Sequence, residues 1–168
     1  MRYLKKVIPC FTMLLIIGCF TKTQHKNRLS NDRNIFEPVG NVYFDDLLAQ
    51  AAEEKKPLLL FFTAYSARST SRMEDYIRQN KAIIKRLKSD FIFVPLHLDN
   101  KEKLSKNELV TNEITQRTVG QKYYKWQVEK FKTNAQPYFV IIDAKGNKVK
   151  DMIYTKDFSK INDFFLKK

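Results

Sequence analysis

The run whose side chains raise the question of chemistry is Tyr65-Ser66-Ala67-Arg68-Ser69-Thr70, directly after the apolar stretch Leu58 to Ala64. An apolar run that gives way to small and hydroxylated residues reads as a buried strand turning into a helix. A hydroxyl in such a turn becomes a nucleophile only beside a base that takes its proton. No histidine or carboxylate stands in sequence where it would activate Ser69 or Thr70, so both read as helix-capping residues. The two histidines offer little more. His25 lies in a polar stretch and reads as solvated, while His97 lies in an apolar run and reads as a partly buried strand residue. A metal centre needs at least three suitable ligands, and none cluster with either histidine, so neither a metal nor any other cofactor is expected.

Sulfur chemistry is confined to the first twenty residues, which hold both cysteines, Cys10 and Cys19. Arg2, Lys5 and Lys6 form a basic start, and an apolar segment from Val7 to Gly18 follows. That segment falls short of the roughly 20 residues that span a bilayer, so residues 1–18 read as a signal peptide. It ends in Ile16-Ile17-Gly18-Cys19, which resembles a bacterial lipobox, where the cysteine after a small residue is lipidated and becomes the mature N-terminus. On that expectation Cys10 is discarded, the Cys19 sulfur carries lipid, and an exported protein in an oxidising compartment has no thiol with which to form a disulfide.

The elements that would position the turn follow from apolar spacing. Residues 19–40 are polar and basic, without periodicity, and read as a lipidated N-terminus and tether. A single domain is expected over residues 41–168. Phe44, Leu47, Leu48 and Ala51 recur at helical spacing before Pro57, and the run Leu58 to Ala64 reads as a central strand buried on both faces. A helix from about Thr70 to Asn80 continues through Lys81 to Asp90, with Met73, Ile77, Ile83, Ile84 and Leu87 inward. Phe91 to Leu98 reads as a second strand, and Pro95 within it points to an irregular or edge position. A polar connection from Asp99 to Gly120 precedes a helix read inward through Tyr124, Val128 and Phe131, with Tyr123, Tyr124 and Trp126 lining core or groove. Asn134 to Asp143 reads as a third strand, Ala144-Lys145-Gly146-Asn147 as a hairpin turn into a fourth, and the tail as a helix with Phe158, Ile161, Phe164 and Phe165 inward. This order describes an α/β fold: a central mixed sheet flanked by helices, its first strands parallel through a right-handed crossover and its last hairpin antiparallel.

From about Tyr43 to Phe165 the chain resembles the thioredoxin-like domain at the C-terminus of the disulfide reductase DsbD and its stand-alone relatives in Bacteroidetes. Those relatives carry Phe-Thr-Gly-Tyr-Gly-Cys-x-x-Cys after a strand, then a basic residue or two and Met-Glu. Phe62, Thr63, Ala64, Tyr65 and Ser66 match that frame, with Arg72, Met73 and Glu74 behind it, and Asn-Ala-Gln-Pro-Tyr is whole at Asn134 to Tyr138. The resemblance implies a thioredoxin fold, and it aligns Ala67 and Thr70 with the nucleophilic and resolving cysteines. It also aligns Phe61 with a buried acid that shuttles protons in many members, and Pro137 with a cis-proline beside which the backbone pairs with an extended substrate. Thiol exchange needs a thiolate, which alanine and threonine cannot supply. The expectation is therefore a redox-inactive binding or scaffolding module, its groove lying between Tyr65-Ser66-Ala67 and Gln136-Pro137. The alternative is a thiol-disulfide oxidoreductase-related protein of the DsbD type in periplasmic redox homeostasis, with a partner able to supply the cysteines.

The formal charge of +13, which falls to +10 without Arg2, Lys5 and Lys6, is scattered from Lys22 to Lys168 and interrupted by acids. No arginine-rich helix or RNA-binding aromatic signature accompanies it, so a nucleic-acid partner is not expected and the lysines read as a solvated surface. The expected partners are an envelope protein or extended peptide, and a membrane reached through lipid on Cys19. Phe20 to Gln24 contains no acid, unlike the surface-export signals of such lipoproteins. The expected location is the periplasmic side of the bacterial envelope, with the inner face of the outer membrane as the candidate membrane.

Overall fold

The computed structural model describes residues 35–111 and 116–167. Cys10, Cys19, His25 and most of the expected tether lie outside the described residues. A four-stranded sheet runs in the order β2-β1-β3-β4, with β1 Leu58–Thr63, β2 Ile92–His97, β3 Tyr138–Ile142 and β4 Lys148–Ile153. β1 pairs parallel with β2, from Leu58 opposite Ile92 to Thr63 opposite His97, and antiparallel with β3, from Leu58 opposite Ile142 to Phe62 opposite Tyr138. β3 and β4 form the antiparallel hairpin. The expected mixed sheet with helices on both sides is thus the observed architecture.

Side-chain alternation along β1 divides the core into two layers. Leu58, Leu60 and Phe62 pack with Leu47 and Ala51 of α1 (Phe44–Glu54) and with Val119, Tyr123 and Phe131 of α5 (Val119–Phe131). Leu59 and Phe61 face Met73 and Ile77 of α2 (Arg68–Gln79), Ile83 and Leu87 of α3 (Lys81–Ser89), and Ile161, Phe164 and Phe165 of α6 (Phe158–Leu166). Because β1 and β3 are covered on both faces, all their side chains are buried, which explains their unbroken apolar runs. A short helix, α4 (Lys106–Thr111), lies in the polar connection before α5.

Five sequence-based expectations shift, each for a local physical reason. The domain begins before residue 41: Phe36 is 2% exposed and sits 5.7 Å from the Phe61 ring and 5.6 Å from the Phe93 ring. Val39 donates its amide to the Pro95 carbonyl on the outer edge of β2, the edge position that Pro95 suggested. The long second helix breaks at Asn80, whose extended backbone and side-chain oxygen, accepting from the Ala82 and Ile83 amides, end α2 and start α3. α5 is rotated from the expected face: Tyr124 and Val128 are exposed, while Val119, Tyr123, Gln127 and Phe131 point inward. Its first turn is held by a Thr118–Gln121 capping box and by Gly120, where an added Cβ would lie 2.4 Å from the Leu98 carbonyl oxygen. β3 begins at Tyr138 rather than Asn134, and Phe158 is 53% exposed, stacked on Tyr76 instead of buried.

Candidate functional site

The turn after β1 is built to cap α2 without a side chain. Ala67 is the N-cap in extended conformation, and no side chain caps the helix. The reading of Ser69 and Thr70 as caps is overturned, because both lie inside the first turn of α2. Thr70 is buried, and its hydroxyl is 2.9 Å from the hydroxyl of Thr63, itself fully buried at the end of β1. The position aligned with a resolving cysteine therefore holds a hydroxyl engaged with another hydroxyl. Ser66 is exposed and Ser69 half-buried, and among the described residues neither side chain has a hydrogen-bond partner that would raise its nucleophilicity.

Tyr65 projects from the same turn, 61% exposed, with its ring 4.1 Å from the ring of His97. The Tyr65 amide donates to Asp99 Oδ2 at 2.9 Å, which ties the turn to the end of β2. His97 is 3% exposed, more deeply buried than the sequence suggested. Its Nε2 lies 3.3 Å from the Phe36 carbonyl, an acceptor, so that nitrogen carries the proton and Nδ1 is left as an acceptor without a partner. Burial holds the imidazole pKa below its ordinary value despite the Phe36 contact and the nearby Asp99 and Glu37 charges. A neutral histidine pinned to the backbone and covered by Tyr65 is a packing element rather than a base for Ser69.

Across the sheet end, Phe62 is paired with Tyr138, so Pro137 and Gln136 leave β3 on the side where Thr63 to Ala67 leave β1. The Gln136–Pro137 peptide is cis. Pro137 is buried, and its carbonyl accepts from the Tyr154 amide at 3.0 Å. Gln136 is exposed, and among the described residues neither its amide nor its carbonyl has a hydrogen-bond partner. Gln127, fully buried on α5, donates to the Ala135 carbonyl at 2.6 Å and fixes this loop. Phe61 is also fully buried, stacked on Phe139 at 4.1 Å and flanked by Phe36 and Phe93, so an aromatic layer fills the position aligned with a proton-shuttling acid. The structure thus brings Tyr65, Ser66, Ala67, Gln136 and Pro137 to one end of the sheet.

Asp99 and Gln127 were missed by sequence reasoning. A lone aspartate after a strand and a glutamine within a helix carry no local signal; their roles depend on contacts 34 and 8 residues away. The aromatic group on α5 divides: Tyr123 is buried, Trp126 packs on the core, and Tyr124 is exposed.

Among the described residues no group of three or more His, Cys, Asp or Glu could hold a metal ion, and no helix is long and apolar enough to cross a membrane. The arrangement offers an exposed aromatic ring, an open backbone unit and a redox position without sulfur. A backbone unit left open in this way has the groups that pair with an extended chain, and the turn lacks the sulfur that thiol exchange needs.

A search of curated proteins finds no match. Among solved structures the chain is similar to one described as DsbH oxidoreductase, with a TM-score of 0.54, 18% identity, and coverage of 83% of this chain and 94% of that one. At that identity the likeness is one of fold. A family model for the thioredoxin-like domain matches residues 44–164, and the chain belongs to that family.

Proposed function

We propose that this protein is a thioredoxin-fold lipoprotein of the bacterial envelope that binds an extended peptide or protein segment and performs no disulfide exchange. The observation that carries the reading is the turn itself, where Ala67 occupies the N-cap of α2 and the Thr70 hydroxyl is engaged by Thr63. The unpartnered backbone of Gln136 supports the binding half, since an extended peptide laid beside it would gain main-chain hydrogen bonds as an added strand. The leader and its terminal Cys19 support lipid anchoring with the domain facing the periplasm, the inner face of the outer membrane being the candidate site.

The decisive experiment is insulin reduction by the purified full-length protein together with the Ala67→Cys, Thr70→Cys double variant. The wild type shows no turnover; the double variant gains it if the turn still has redox geometry. Wild-type turnover would return the protein to the oxidoreductases whose fold it shares. Mass spectrometry of the purified protein should find Cys19 acylated, and a bare Cys19 in mixed disulfides would remove the lipoprotein reading.

A further inference from the structure

A concave feature opens between α2, the end of β4 and α6, with a volume of about 400 Å³. Buried Met73 and Ile161 line it, and its aromatic components are Tyr76, Tyr154 and the half-exposed Phe158. The wall is held in place before any ligand arrives. Tyr76 of α2 stacks on Phe158 at 4.1 Å with an interplanar angle of 4°, and its hydroxyl donates to Asn162 Oδ1 at 2.8 Å, so α6 holds the ring both by its face and by its hydroxyl. Preformed aromatic concavities of this size are where ligand side chains bury apolar surface without ordering the protein first.

The charges on this pocket select its occupant. Arg72 and Lys156 both line it, and neither has an ion-pair partner among the described residues, whereas Arg78 further along α2 is paired with Glu74. One acid, Asp75, lies among the lining residues, leaving two cations against one anion. The pocket lies next to the loop that would form the proposed groove, because Tyr154, which lines it, donates its amide to the Pro137 carbonyl.

We propose that this pocket is a specificity subsite for a peptide segment carrying an aromatic residue close to an Asp or Glu. The ring would enter between Tyr154 and the Tyr76–Phe158 stack, and the carboxylate would meet Arg72 and Lys156, while the segment's backbone runs along Gln136. This rests on the peptide-binding reading above.

The test is selection of phage-displayed random heptapeptides on the full-length protein in detergent, followed by anisotropy with fluorescein-labelled synthetic copies of the enriched sequences. Enriched peptides should place Phe, Tyr or Trp within two residues of Asp or Glu. Arg72→Glu with Lys156→Glu should weaken them about tenfold, and Phe158→Ala should weaken them as well, while Lys130→Glu on α5 changes nothing. Melting curves would establish that each variant is folded. Peptides that bind the charge-reversed and Phe158→Ala variants as well as wild type, but fail on Ala67→Trp, would overturn the subsite and leave the groove standing. Displacement of the peptides by millimolar inorganic phosphate with no dependence on their aromatic residue would reduce the site to an anion contact and overturn the proposal. Failure to enrich any peptide would overturn the subsite and the groove together.

Discussion

Polar groups are managed in opposite ways at two ends of α5. Near its N-terminus, Lys122 and Glu108 form a buried ion pair at 3.3 Å. Glu108 also accepts from the Asn41 side chain, the Ser105 amide and the Ser105 hydroxyl, while Lys122 reaches Asn41 Oδ1 and lies over the Tyr43 ring at 4.4 Å. Toward its C-terminus, Gln127 fixes the Ala135 loop but leaves Oε1 buried without a partner. The other two buried side-chain atoms in that condition among the described residues are His97 Nδ1 and Asp99 Oδ1, beside Tyr65. All three orphaned atoms belong to residues that hold the candidate site. A buried polar atom without a partner costs about 1–3 kcal/mol, so among the described residues that cost falls on the residues around the candidate site, whereas the Lys122–Glu108 cluster is well supplied with partners.

The strongest way to break this contrast is Glu108→Ala, which strands Lys122 in the core and should lower unfolding free energy by about 3–5 kcal/mol in urea titrations. Replacing both members, Glu108→Gln with Lys122→Met, should cost less than the single change, because no uncompensated charge remains.

Acid separates the two regions by pH. Burial opposes ionisation of Glu108, but hydrogen bonds from Asn41 and Ser105 outweigh it and bring its pKa from 4.5 down to about 2. A carboxylate with a depressed folded pKa stabilises fully above its unfolded value, and that stabilisation disappears as pH falls through the folded value. About 3 kcal/mol should therefore be lost between pH 4.5 and 2. The His97 pKa is also depressed, so the unfolded chain takes up its proton first and a separate loss begins as pH falls below 6.5. Stability measured against pH should show both windows, and His97→Gln should remove the upper one alone.

Thr70→Val leaves the Thr63 hydroxyl buried without its partner and should cost about 1–3 kcal/mol by chemical denaturation; Thr63→Val together with Thr70→Val should restore most of it. The smallest stability effect is expected at Tyr65. Tyr65→Ala should change unfolding free energy by no more than about 0.5 kcal/mol, since the ring is mostly exposed. It should nonetheless raise the His97 pKa toward its ordinary value in NMR titrations by uncovering the imidazole, and it should weaken peptide binding.

Much of the site was legible because its signals are local. Leu58 to Thr63 announce a strand by composition, Pro137 marks the loop before β3, and the missing cysteines at Ala67 and Thr70 are visible as letters. The face of α5 was not legible. Tyr124 and Val128 fit a helical period as well as Tyr123 and Gln127 do, and the choice was made by Gly120 against Leu98 and by Tyr123, which donates to the Gly40 carbonyl and accepts the Val42 amide. Thr70 looked like a cap for a similar reason: a hydroxyl near a helix start serves equally as a cap or as a partner for the preceding strand, and Thr63 decided which.

The sequence by itself determined the order of the four strands and of the main helical segments between them, and the lack of any thiol in residues 41–168, since apolar spacing and residue identity are properties of neighbours along the chain. The tertiary structure alone decided that Phe36 belongs to the core, that Asp99 and Gln127 tie down the turn after β1 and the loop before β3, and that α2 and α6 line an aromatic pocket bearing two cations without an ion-pair partner among the described residues. Each of these depends on which segments the folded sheet brings together, and a contact such as that between Val42 and Tyr123, 81 residues apart, leaves no periodic trace in either segment.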